Sequence, residues 1–272
     1  MGRIASCFKA LKRRGEVALV PYLMAGDPDL GTTRALMQAA ADAGADLIEL
    51  GVPFSDPTAD GPVIQRAGVR SLQRGTSLRQ ILEMVAELRA GGFETPIVLF
   101  GYYNPIFHYG PTQLVADAAR AGVDALLVVD LPPEEADELW RPARAAGLDV
   151  IFLLAPTSDA PRVRAVLAKA SGFVYFVSMT GITGSKAIES GEVRTLIDGL
   201  RAKCRLPIGV GFGITTPAEA EAVAGYADAV VVGSAIVRLI ERDGDSPDLV
   251  TNVASFVRAL KDAVRRSASA AS

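Results

Sequence analysis

Eight times along this 272-residue chain a short apolar run gives way to an amphipathic or alanine-rich segment. That alternation restricts the fold more than any other feature. The apolar runs predict strands at about 18–23, 46–51, 96–101, 125–129, 149–154, 173–178, 207–211 and 228–232. Helices are expected between them, at 31–43, 77–90, 112–120, 134–145, 160–169, 190–202 and 217–224, with a last one over roughly 247–265. Continuous Val/Ile/Leu runs such as Ala125-Leu126-Leu127-Val128-Val129 suit a parallel sheet covered on both faces. Asp159, and Thr216 followed by Pro217, are suitable helix openings. Eight strand–helix repeats without a linker or a composition break predict an α/β fold, a single (β/α)8 TIM barrel spanning 1–272. An extra N-terminal helix at about 2–14 would cover its bottom, and the tail from about 266 to 272 is expected to fray. A doubly wound open sheet is the alternative.

Half of the residues are hydrophobic, enough for a large core, and the net charge of −3 argues against a nucleic-acid partner. No apolar run approaches the ~18 residues that span a bilayer. The first residues, Met1-Gly2-Arg3-Ile4-Ala5-Ser6-Cys7-Phe8, lack the apolar stretch and cleavage site of a secretory signal. Cys7 and Cys204 are isolated thiols that suit a reducing, cytoplasmic setting. The single histidine, His108, excludes a His-rich metal site, so no metal is expected, and it disfavours a Ser-His-Asp device. Proton transfer must fall to Glu, Asp, Tyr or Lys.

A barrel places chemistry at the C-terminal ends of its strands. There the chain carries Asp27, Glu49, Asp60, Tyr102, Asn104, Asp130, Thr183 and Gly184. Glu49 lies near the end of an apolar strand, and the Pro/Gly/Asp-rich loop after it brings Asp60. A buried acid is costly unless paired or shifted in pKa. These two residues therefore read either as a structural ion pair with a turn-forming Asp or as a general acid/base pair. After strands 7 and 8 come Gly209-Val210-Gly211-Phe212-Gly213 and Gly233-Ser234-Ala235. Barrels often cradle phosphate at this point, using backbone N–H groups and a helix N-terminus, without needing Lys or Arg. None of the lysines (Lys9, Lys12, Lys169, Lys186, Lys203, Lys261) falls in a predicted strand, which closes a Schiff-base aldolase route. Isomerisation by one carboxylate remains open, as does a cleavage in which the substrate itself accepts the electrons.

Longer segments resemble the α subunit of tryptophan synthase. They are Pro21-Tyr22-Leu23-Met24-Ala25-Gly26-Asp27-Pro28-Asp29, the Glu49–Gln65 stretch, Tyr102-Tyr103-Asn104-Pro105-Ile106, and Asp130-Leu131-Pro132-Pro133-Glu134-Glu135. Ala155-Pro156-Thr157, Thr180-Gly181-Ile182-Thr183-Gly184, Val210-Gly211-Phe212-Gly213-Ile214 and Val232-Gly233-Ser234-Ala235-Ile236 follow in order, so the likeness covers roughly 18–240. It implies retro-aldol cleavage of indole-3-glycerol phosphate to indole and glyceraldehyde 3-phosphate, with the C3-protonated indole as the electron sink. By the same resemblance Glu49 would move protons at C3 and the side-chain hydroxyl, while Asp60 would accept the indole N–H. Tyr22, Phe100, Tyr102, Leu127, Tyr175 and Phe212 would line the substrate site, with Leu127 equally readable as barrel core and Tyr175 as a plain wall aromatic. Thr183 would close over the site and bond Asp60. Gly184, Gly211, Gly213, Gly233 and Ser234 would hold the phosphate.

The family pairs with a β subunit in an α2β2 heterotetramer, and the resemblance places that contact at Pro57, Asn104, Phe107, Asp130 and Pro132. Pyridoxal phosphate would belong to the β partner, leaving no cofactor in this chain. Thr58 stands where the family has Leu, Val129 where Pro is frequent and Lys186 where Arg is common, which bears on the partner contact and on the loop at 179–190. A stand-alone lyase releasing free indole, a regulatory phosphate-binding barrel and a sugar-phosphate isomerase are the alternatives.

Overall fold

In a computed structural model the described residues are 2–177, 190–211 and 213–270. The elements run α1 (Arg3–Arg14), β1 (Ala18–Met24), α2 (Leu30–Asp42), β2 (Ile48–Gly51), α3 (Pro62–Gln73), α4 (Leu78–Ala90) and β3 (Ile97–Gly101). They continue with α5 (Tyr103–Tyr109), α6 (Pro111–Ala121), β4 (Ala125–Val128), α7 (Asp137–Ala145), β5 (Asp149–Ile151), β6 (Leu153–Leu154), α8 (Ala160–Lys169) and β7 (Val174–Val177). The chain ends with α9 (Ser190–Arg201), β8 (Ile208–Gly211), α10 (Pro217–Ala224), β9 (Ala229–Val232), α11 (Ser234–Asp243) and α12 (Leu249–Ala270).

All the strand pairs are parallel, in the order β5-β4-β3-β2-β1-β9-β8-β7-β6. The two ends of that order, β5 and β6, are one expected strand interrupted at Phe152, which leans first on β4 and then on β7. The ring is therefore a barrel of eight strand runs, as the alternation predicts, and not an open sheet. Side chains alternate along each strand. On β1, Ala18, Val20, Tyr22 and Met24 join the interior core, while Leu19 and Leu23 join the outer layer beneath the helices. Leu47 is interior and Ile48 and Leu50 are outer, so the parity of β2 sends Glu49 inward.

Helix α1 buries Ile4, Phe8 and Leu11 in the interior core, with the Phe8 ring 5.9 Å from that of Phe173, and so plugs the bottom. Helix α12 runs to Ala270, and Arg266 on it pairs with Glu221 at 2.9 Å. Helices α3, α5 and α11 fall in stretches that read as loops. Pro62 and Pro105 mark loops in a sequence, but they are tolerated in the first turn of a helix, where no N–H partner is lost.

Three aspartates tie the bottom of the barrel. Asp46, Asp124 and Asp228 each accept an amide at the start of a neighbouring strand, those of Leu19, Ile97 and Ile208, at 2.8 Å. Each also meets a cation: Lys261 at 2.6 Å, Arg89 at 2.7 Å and Arg201 at 2.9 Å respectively. Structure accounts for these three acids.

Candidate active site

At the other end the acids stand differently. Glu49 is 1% exposed, and its Oε1 has no hydrogen-bond partner among the described residues. Burial alone pushes its pKa up to about 8. In register it lies beside Tyr22 on β1 and Val98 on β3. Asp60 comes from the loop after β2. Its backbone N–H bonds Pro57 O at 3.1 Å, and its own carbonyl accepts from Gln65 Nε2 at 2.9 Å. The Tyr102 hydroxyl donates to its carboxylate and accepts from Ala59 N–H at 3.0 Å. Burial raises Asp60 to about 6, the tyrosine bond holding it lower than burial alone would. The structural ion pair considered for these acids is absent: no cation pairs with either one among the described residues.

Both acids open on one cavity of about 610 Å³. Tyr22 and Phe100 form an edge-to-face wall, with ring centroids 5.3 Å apart, and Tyr175 lies opposite within the field of Glu49. Ile64, Val129, Leu153, Val177, Ile214 and Val231 add aliphatic surface. A largely apolar pocket with two convergent acids suits a flat aromatic ligand that carries a few polar groups. Gly213, Gly233 and Ser234 lie at its rim, Gly213 with a left-handed φ of 78°. Helix α11 starts at Ser234 without a side-chain cap, so its first amides are available to an anion.

Two glycines shape the walls. A Cβ at Gly51 would collide with the Tyr22 hydroxyl, and one at Gly211 with that of Tyr175. Gly211 thus makes room for a wall tyrosine and does not itself face the cavity. Nor does Leu127, which is fully buried one layer below, where it pairs with Phe100; Val129, two residues on, occupies the expected place. Tyr102 backs the site by holding Asp60 rather than lining the cavity. Thr183, Gly184 and Phe212 lie outside the described residues, as does the loop expected at 179–190 up to residue 189. The aliphatic lining escaped the sequence reading, because apolar residues at strand ends look like ordinary core.

Around the same end Asn104 and Asp130 are exposed, Pro57 and Pro132 are half-buried, and Phe107 on α5 is 64% exposed. Asp130 accepts the Tyr103 N–H at 2.7 Å, which fixes the start of α5. His108 is exposed on that helix. Among the described residues no helix is long and apolar enough to cross a membrane.

Residues 8–265 match the family described as Tryptophan synthase alpha chain. The chain belongs to that family. It is 52% identical over 270 residues to the tryptophan synthase alpha chain of Gluconacetobacter diazotrophicus, covering 97% of this chain and 98% of that one. The crystal structure of tryptophan synthase subunit alpha from Legionella pneumophila superposes with a TM-score of 0.92 at 37% identity, over 98% of this chain and 99% of that one. A chain of Mycobacterium tuberculosis tryptophan synthase gives a TM-score of 0.88 at 34% identity, with 97% and 98% covered. As an alpha chain of tryptophan synthase type, the protein falls among carbon–carbon lyases of tryptophan biosynthesis.

Proposed function

We propose that this chain cleaves indole-3-glycerol phosphate to indole and glyceraldehyde 3-phosphate, with Glu49 and Asp60 as its two proton-handling groups. The observation that carries this reading is the contrast between them. Two acids without a cation partner among the described residues share one apolar cavity, and burial lifts one to about 8 and the other to about 6. Near neutrality Glu49 is then mainly protonated and Asp60 mainly ionised, a division of roles set by environment.

A protonated Glu49 can give its proton to C3 of the indole ring. The ring becomes an iminium, and positive charge develops at its N–H. An ionised Asp60, held by Tyr102, can accept that N–H and stabilise the charge. Glu49, now a carboxylate, takes the proton of the side-chain hydroxyl as the C3–carbon bond breaks. The bonding pair returns to the ring, so indole leaves with one proton gained at C3 and the aldehyde forms with one proton lost. The phosphate would rest on Gly213, Gly233 and Ser234 at the start of α11, the end where a helix favours negative charge.

The name alpha chain implies a β subunit. We place its docking face around Phe107, Asn104, Asp130, Pro57 and Pro132, in an α2β2 assembly in which pyridoxal phosphate sits in the β subunit and indole passes across. An exposed phenylalanine on α5, after β3, supports that placement. A cytoplasmic setting suits its free thiols, Cys7 and Cys204.

The test is indole release from indole-3-glycerol phosphate by the wild type and Asp60→Asn, with and without a β subunit. Asp60→Asn should lose at least ~10²-fold, and the β subunit should accelerate the wild type. Wild-type release that is fast and indifferent to the β subunit would favour the stand-alone lyase; no release under any condition would overturn the reading. The pH profile is a second check. kcat/KM should be highest between about 6 and about 8, because Asp60 takes up a proton below the first value and Glu49 gives one up above the second. A profile flat across both values would remove the two carboxyls from the mechanism.

A further inference from the structure

We infer that Arg238 recognises the phosphate ester of the substrate and makes the site selective for phosphorylated indole-glycerols. This rests on the reading above that the phosphate lies at Gly213, Gly233 and Ser234. Arg238 is the only basic side chain among the described residues that line the cavity, whose other ionisable groups are the acids Glu49 and Asp60 and the tyrosines Tyr22 and Tyr175. An anionic ligand entering a cavity that holds two carboxyls gains from a full counter-charge, because backbone amides supply only partial ones.

The position of Arg238 on α11 is suited to this. It lies four residues after Ser234, on the same helix face, and helical side chains lean back toward the N-terminus. Its guanidinium therefore extends over the turn that carries Gly233 and Ser234. The neighbouring arginines are all engaged: Arg66 with Glu241 at 2.6 Å, Arg70 with Asp27 and Glu241 at 2.8 Å, and Arg242 with Asp243 at 2.6 Å. Arg238 is exposed and makes no hydrogen bond or ion pair with any described residue. The α3–α11 clamp consumes the adjacent cations and leaves this one at the rim, where a planar fork can take two phosphate oxygens.

The experiment is steady-state turnover by the wild type, Arg238→Met, Arg238→Lys and Ser234→Ala, on indole-3-glycerol phosphate and on dephosphorylated indole-3-glycerol, at low and high salt. Arg238→Met should raise KM for the phosphate ester by on the order of tenfold at low salt. The change should fall on KM rather than kcat, because the contact is remote from the reacting carbons. It should shrink at high salt, Lys should restore part of it, and turnover of the dephosphorylated compound should not change. An unchanged KM for the ester, or equal losses on both compounds, would overturn the inference. If the wild type already failed to distinguish the two compounds and Ser234→Ala had no effect, the phosphate site itself would fall and Arg238 with it. Discrimination lost in Ser234→Ala but kept in Arg238→Met would overturn the role of Arg238 alone.

Discussion

Glu49→Gln is expected to lose at least ~10²-fold in turnover and, at the same time, to stabilise the protein. The two effects have one cause. Glu49 is almost fully buried, lacks a partner for Oε1 among the described residues, and has its pKa lifted by burial from 4.5 to about 8. A carboxyl whose folded pKa is raised binds more protons folded than unfolded. Its contribution to stability is complete below the unfolded value and is lost as pH rises through the folded one. Glutamine has the same shape and never ionises, so it escapes that loss. The gain should be on the order of 3 kcal/mol at pH 7, close to zero at pH 4 and larger at pH 8.5. Thermal unfolding of both proteins at those three pH values measures it. A melting-temperature gap that does not widen with pH would mean that Glu49 is not buried at the expense of stability.

Lys261→Met should produce the largest loss of stability, about 3–5 kcal/mol. Lys261 sits on α12 and is 1% exposed, with Nζ 2.6 Å from Asp46 Oδ2, 3.3 Å from Val17 O and 3.8 Å from Glu16. Its stem packs on Gly44, where a Cβ would come within 3.0 Å of Cγ and where φ is +105°. Asp46 in turn holds the Leu19 amide near the start of β1. Removing the ammonium leaves a mostly buried carboxylate without its cation, and that residual charge is what costs the stability. Asp46→Asn combined with Lys261→Met removes both charges and should recover part of the loss. Urea unfolding of the three proteins decides it: a double variant no better than Lys261→Met would show that lost packing dominates.

The strands were legible to within one or two residues because a parallel barrel demands continuous apolar runs, and little else in a globular chain produces them. The three helices missed, α3, α5 and α11, begin at Pro62, Tyr103 and Ser234. Pro62 and Pro105 lie in the first turns of α3 and α5, and Gly233 directly precedes α11, the residues that otherwise punctuate loops. The two acids could be found because a carboxylate beside an apolar run contradicts its surroundings. Val129, Leu153 and Val177 contradict nothing, so only the closed ring reveals that they face a cavity. The same blindness placed Leu127 at the ligand. Inward parity is readable along a strand, but depth along the barrel axis is not, and Leu127 lies one layer too low. Tyr102 was recognised as part of the site, yet its hold on Asp60 depends on the path of a loop that local sequence does not specify.

The acids at the lower end are tied to cations and strand amides, whereas those at the upper end are held in apolar surroundings. The packed interior of the barrel, Val20, Val98, Ala125, Ile151 and Phe173 among it, lies between the two sets. Changes at sites that share no partner tend to add. Selection can therefore adjust heat tolerance through the anchors around Asp46, Asp124 and Asp228 while leaving reactivity alone. The mouth, conversely, is free to drift toward other indole-like molecules without endangering the scaffold. A lineage carrying this chain can explore robustness and substrate range as separate searches.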